Sequence, residues 1–249
     1  MMRSSNPTLS DDTFTKFGYS RDATDTMTIN GVVYKTFILL LFTLLSAGFV
    51  WSKFYQSGGN AASINVWMMV GAIGGFIVAI VTAFKIQWAP ITAIPYAILE
   101  GLFIGGLSSV MEASFPGIVI QATGLTFTTL AVMLFAYQSG IIPASQSFRL
   151  GIVAATGGLA IFYMISMGLG FFNIQVPGVF GNGWVGIAFS LFAVTIAALN
   201  FVLDFDFIVA GARSKAPKFM EWYGAFAMMV TLIWLYIEFL RLLSKLRER

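Results

Sequence analysis

Between residues 33 and 249 the chain repeats one pattern of polarity, a long apolar run followed by a short polar break. The runs fall at about 34–54, 64–84, 89–111, 117–138, 149–172, 183–206 and 219–243. Each is close to the ~20 residues that a helix rising ~1.5 Å per residue needs to cross ~30 Å of hydrocarbon. None alternates with period two as a barrel strand would, and in lipid an open chain satisfies its own backbone only as helix. The pattern predicts an all-α polytopic membrane protein, a seven-transmembrane-helix bundle whose connections are too short for a second domain. Residues 1–32 are polar and punctuated by Asn, Pro, Gly and Ser, and read as a mostly disordered N-terminal leader. No apolar stretch follows Arg3, so a cleaved signal peptide is not expected and the first span directs insertion. Thr28–Tyr34 reads as a short amphipathic lead-in to that span.

Composition sets the solvent. Hydrophobic residues make up 58% and charged residues 10%, with mean hydropathy +0.84, against roughly a quarter charged in a soluble domain. The lipid bilayer is therefore the expected surroundings. The net charge is +3, but Lys and Arg are scattered over loops and the C-terminal tail, so no nucleic-acid face is predicted. Of the 14 Lys and Arg, the side carrying the N-terminus and the even-numbered loops holds all but Lys53, Arg241, Lys245, Arg247 and Arg249. By the positive-inside rule this favours N-terminus in and C-terminus out. Most of the exceptions crowd the C-terminal tail, and a re-entrant seventh segment would instead leave both termini cytoplasmic. Gly71 with Gly75, and Gly101 with Gly105, have the small-xxx-small spacing of closely packed membrane helices; flexible points in gating helices are the alternative. Cysteine and histidine are absent. That excludes disulfides, thiol chemistry and histidine-based metal or proton work, so a proton switch near neutral pH has to be built from carboxylates.

There are 11 acidic residues. Asp11, Asp12, Asp22, Asp25, Glu112, Glu221 and Glu248 lie in the leader, at helix ends or at the terminus, and read as solvated. Glu100, Asp204, Asp206 and Glu238 fall in apolar runs, where a charge costs at least ~2.5 kcal/mol on insertion scales and so normally faces the protein interior. Glu100, in YAILEGLFIGG, has no basic residue at i±3 or i±4, and either faces a wet cavity or is protonated. Asp204 shares a helix face with Asn200, whereas Asp206 lies about 200° around the helix from Asp204. At most one of the two aspartates faces the bundle centre squarely. Glu238 has Arg241 at i+3, a local pair worth a few tenths of a kcal/mol. Alternatively Glu238 is buried and meets an aspartate of the sixth span. Two carboxylates sharing a site hold one proton between them and titrate as a unit, which makes a proton switch without histidine. An intramembrane hydrolase would need an aspartate dyad in a GxGD-type setting, which is missing, and no catalytic residue is assigned.

The closing pattern resembles a known family. Phe205-Asp206 ends the sixth run, and Leu235-Tyr236-Ile237-Glu238-Phe239-Leu240 precedes a leucine-rich end, as in the Bax inhibitor-1/YccA family, also called the transmembrane Bax inhibitor motif family. Tyr96-Ala97-Ile98-Leu99-Glu100-Gly101 and Arg149 leading into TGGLAIFYM match more loosely. The resemblance spans about residues 30–245 and is greatest to the bacterial YccA-like branch, whose members carry a polar leader. It implies six helices around a central C-terminal helix, in a bacterial inner membrane. It also implies a di-carboxylate latch between the sixth and seventh helices that responds to pH and controls a calcium-permeable leak. By that likeness Asp206 and Glu238 are the latch partners and oxygen ligands for calcium, and Glu100, Asn200 and Arg241 belong to the ion pathway or cavity. Glu238 stands where the best-known family pattern has Asp. The loop GARSKAPKFMEWYGA is longer than usual, which leaves Asp204 as the alternative latch residue. Calcium enters as a permeant ion, and no cofactor is implied. YccA-type members also suggest a non-transporting regulator of a membrane protease, with the leader as its handle.

Overall fold

The computed structural model of the chain describes residues 26–172 and 178–248. The leader expected over 1–32 thus lies outside the described residues as far as Asp25. Among the described residues there are seven α-helices: α1 (Ile29–Gln56), α2 (Asn65–Phe84), α3 (Ala89–Ser114), α4 (Ile118–Gln138), α5 (Gln146–Phe171), α6 (Trp184–Arg213) and α7 (Met220–Arg247). Short 3₁₀ turns at Ala61–Ser63 and Ile86–Trp88 precede α2 and α3. All seven helices are long and apolar enough to cross a membrane, and the described residues contain no strand, only an isolated bridge between Thr26 and Pro217. The chain is an all-α integral membrane protein.

Two helix ends differ from expectation. Helix α1 starts at Ile29, because Thr28 is extended and its hydroxyl accepts from the Gly31 N–H at 3.0 Å, an N-cap. The supposed lead-in is therefore the first turn of the span itself. Helix α6 does not stop near Asp206, since Phe207-Ile208-Val209-Ala210 contains no breaker. It ends where Lys215 turns left-handed at φ 53°, with Lys215 N–H donating to the Ala212 carbonyl at 3.3 Å and Ala216 N–H to that of Gly211 at 3.0 Å. This is a Schellman end with lysine in the position glycine usually takes. Asp204 and Asp206 consequently lie inside α6, away from its end.

The chain forms two compact units. The first holds α1, α2 and α3 with residues 206–230, the end of α6 and the start of α7; the second holds α4 and α5 with α6 up to Phe205 and α7 from Thr231. In the first unit α3 packs on both α1 and α2, and glycines set the approach. A methyl group at Gly101 would run into Ser46 and the Thr43 carbonyl, at Gly105 into the Ala47 backbone, and at Gly71 into Leu99 and Phe103. Close packing is thus what these glycines provide. Gly157 of α5, by contrast, has nothing within 4 Å of where a Cβ would stand. Gly105→Ala is expected to destabilise the protein by about 1–3 kcal/mol through overpacking. Gly157→Ala should be neutral or stabilising by up to ~1 kcal/mol through helix propensity. Denaturant unfolding in detergent compares them, and equal effects would contradict the assignment.

Burial is graded along the chain. Helix α7 is the most enclosed span, with 61% of its most apolar window buried against 11% for α5. Its enclosed surface is nevertheless not purely apolar.

Candidate functional site

Thr231, Trp234, Glu238, Arg241 and Lys245 recur every three or four residues along α7 and so share one face. At ~1.5 Å per residue this polar seam is about 21 Å long. All of it belongs to the second unit, as do its partners on α5 and α6.

At one end Asp204, only 5% exposed, accepts a 2.6 Å hydrogen bond from the Thr231 hydroxyl at Oδ2. No basic group bonds to it among the described residues. One turn back on α6, the Asn200 amide donates to the Thr156 hydroxyl of α5 and to the Ile196 carbonyl, both at 2.8 Å. The amide links α6 to α5 beside Asp204.

Further along the seam Glu238 is 1% exposed. Its Oε1 accepts from the Tyr163 hydroxyl at 2.9 Å, from the Trp234 indole N–H at 3.1 Å and from Arg241 Nη1 at 3.1 Å. Among the described residues its Oε2 accepts only from Arg241 Nη1, at 3.2 Å. The same nitrogen donates to the Tyr163 oxygen at 2.7 Å, and the guanidinium lies 4.9 Å from the centre of the Tyr163 ring. Tyr163 is held in turn by rings of Phe162, Phe180 and Phe189. At the far end Lys245, buried, donates to the carbonyls of Val179 at 2.9 Å and Gly186 at 3.0 Å. Buried polar groups in lipid need such partners, and the seam supplies them almost group by group.

Of the latch pair expected from the likeness, Asp206 belongs to the first unit and Glu238 to the second. Among the described residues the hydrogen bonds to Glu238 come from Tyr163, Trp234 and Arg241, whereas the one to Asp204 comes from Thr231. The short turn after α6 brings α7 back antiparallel in a register that sets Thr231, and no acid, against Asp204. Glu238 follows two turns later, about 10 Å along the axis. Asp206 is half-buried, falls in the first unit and has contacts of its own. The local Glu238–Arg241 pair and the burial of Glu238, posed as alternatives, both hold. Glu100, in the first unit, is half-buried with its carboxylate against Gly75, where a Cβ would come within 2.9 Å of Oε1. No three acids gather as a metal cage among the described residues. Glu221, read as solvated, is in fact 1% exposed and tied to Lys35 and Thr28 of the first unit. Thr156, Tyr163, Thr231, Trp234 and Lys245 were missed; for the three on α7, the spacing around Glu238 was the available signal.

A family model described as Bax inhibitor 1 like matches residues 6–248. No curated protein and no solved structure matches the chain.

Proposed function

The chain belongs to the Bax inhibitor 1 like family, and from that premise we propose that it forms a pH-responsive, calcium-permeable leak in a bacterial inner membrane, gated within the second unit. The observation that carries this reading is Asp204, a carboxyl almost without solvent in a membrane-spanning helix, whose hydrogen-bond partner is a hydroxyl. While uncharged, Asp204 keeps its bond to Thr231 and α6 stays against α7. Once ionised it is a charge without a neutralising partner, and a buried ion of that kind costs several kcal/mol. Entry of a cation, or a parting of the helices that admits water, relieves that cost. Calcium prefers hard oxygen ligands, and Asp204, Asn200, Thr231 and Thr156 supply carboxylate, amide and hydroxyl oxygens. Flux therefore rises with pH. The gate in this reading is a carboxyl–hydroxyl contact at Asp204, in place of a pair of carboxylates.

The test is calcium entry into vesicles reconstituted with the purified protein and loaded with a calcium dye. Entry is expected to exceed that of protein-free vesicles and to increase from acid to neutral pH. Entry no faster than in protein-free vesicles at every pH would end the reading.

A further inference from the structure

We propose that Arg241 is a tethered counter-ion which occupies Glu238 and competes with a divalent cation for that carboxylate; this rests on reading the second unit as a cation pathway. The two ends of the pair are held very differently. Glu238 is fixed by two neutral donors, the Trp234 indole one turn earlier on α7 and the Tyr163 hydroxyl of α5. Its side chain is 1% exposed, whereas that of Arg241 is 33% exposed. Arginine grips a carboxylate most firmly with two nitrogens in a fork. Here Nη1 alone serves both carboxylate oxygens and the tyrosine, and no other guanidinium nitrogen is hydrogen-bonded among the described residues. The carboxylate is the fixed partner and the guanidinium the movable one, with the face of the Tyr163 ring to lean on.

Withdrawal of Arg241 strips Oε2 of its donor and leaves a buried anion that has to find another cation. Lys245, the next cation on the same face, cannot take over, because its ammonium is committed to the carbonyls of Val179 and Gly186. The replacement must come from solution. A doubly charged ion gains about twice the Coulomb energy that the guanidinium gives up at equal distance, so Arg241 raises the threshold for monovalent ions more than for divalent ones.

Trp234 bonds to Glu238 and so reports on its occupant. The experiment is a calcium chloride titration of the full chain in detergent micelles, followed by intrinsic tryptophan fluorescence. Arg241→Gln is expected to bind calcium at least tenfold more tightly than the parent protein. Arg241→Lys, which keeps a cation, should stay near the parent, and Glu238→Gln combined with Arg241→Gln should abolish the gain. If Arg241→Gln does not purify folded, Arg241→Met removes the charge while keeping an unbranched side chain and should give a shift of the same sign. An unshifted titration in Arg241→Gln, or in Arg241→Met where that variant is used, overturns the proposal, as does a gain that survives removal of Glu238. Binding is read here without transport. Tightened binding with no vesicle flux would therefore keep the counter-ion and sink the leak, and flux with unshifted binding would do the reverse.

Discussion

Glu221→Ala is expected to destabilise the protein by about 3–5 kcal/mol, the usual effect of removing one partner from a buried ion pair. Glu221 is 1% exposed, pairs with Lys35, and accepts from the Thr28 N–H at 3.0 Å and the Thr28 hydroxyl at 2.9 Å. Alanine would leave a lysine ammonium, a backbone N–H and a hydroxyl without their acceptor. Room for the carboxylate is made by Gly31, where any side chain would collide with it. The same corner is closed by the Met27 N–H donating to the Ala216 carbonyl at 2.7 Å. The start of α1 is thereby fastened to the α6–α7 turn through one acid. Denaturant unfolding in detergent measures the loss. A double variant, Glu221→Leu with Lys35→Leu, removes both charges together and should be less damaging than Glu221→Ala alone. A loss below ~1 kcal/mol in Glu221→Ala would contradict the clamp.

Asp204→Asn is expected to hold calcium entry at the low acid-pH level throughout, a loss of tenfold or more at neutral pH, equivalent to ~1.4 kcal/mol or more. Asparagine matches aspartate in shape, and its amide oxygen still accepts from Thr231, so α6 remains against α7. It cannot acquire charge, so the event proposed to open the path does not occur. Thr231→Val acts with opposite sign. It removes the hydroxyl at 2.6 Å from Oδ2 and should raise entry at acid pH. Opposite signs from two neighbouring substitutions distinguish a gate from a damaged fold.

The fold was legible because hydrophobic run length maps directly onto helices in lipid, and six of the seven starts were placed within three residues. The exceptions have local causes. A Thr28 cap was hidden in a stretch that read as leader, and an apolar continuation after Asp206 carried α6 to Arg213. The site was legible in part. The shared face of Asn200 and Asp204 follows from helical phase alone, whereas the burial of Glu238 stood in the sequence as one of two alternatives. Which groups meet across helices depends on register, and a single sequence does not fix that for α6 against α7. Hence the choice between Asp204 and Asp206 stayed open in the sequence, and Thr231 passed unnoticed. Glu221 was misjudged for a related reason, because a carboxylate at a helix end reads as solvated until the residue facing it, 186 positions away at Lys35, is known.

The most direct measurement is the pH profile of calcium entry into vesicles carrying the parent protein, Asp204→Asn or Asp206→Asn, side by side. The parent and Asp206→Asn should both rise from acid to neutral pH, while Asp204→Asn stays low and flat. A pH-dependent rise retained in Asp204→Asn, or lost in Asp206→Asn instead, would show that the switch is not the carboxyl facing Thr231.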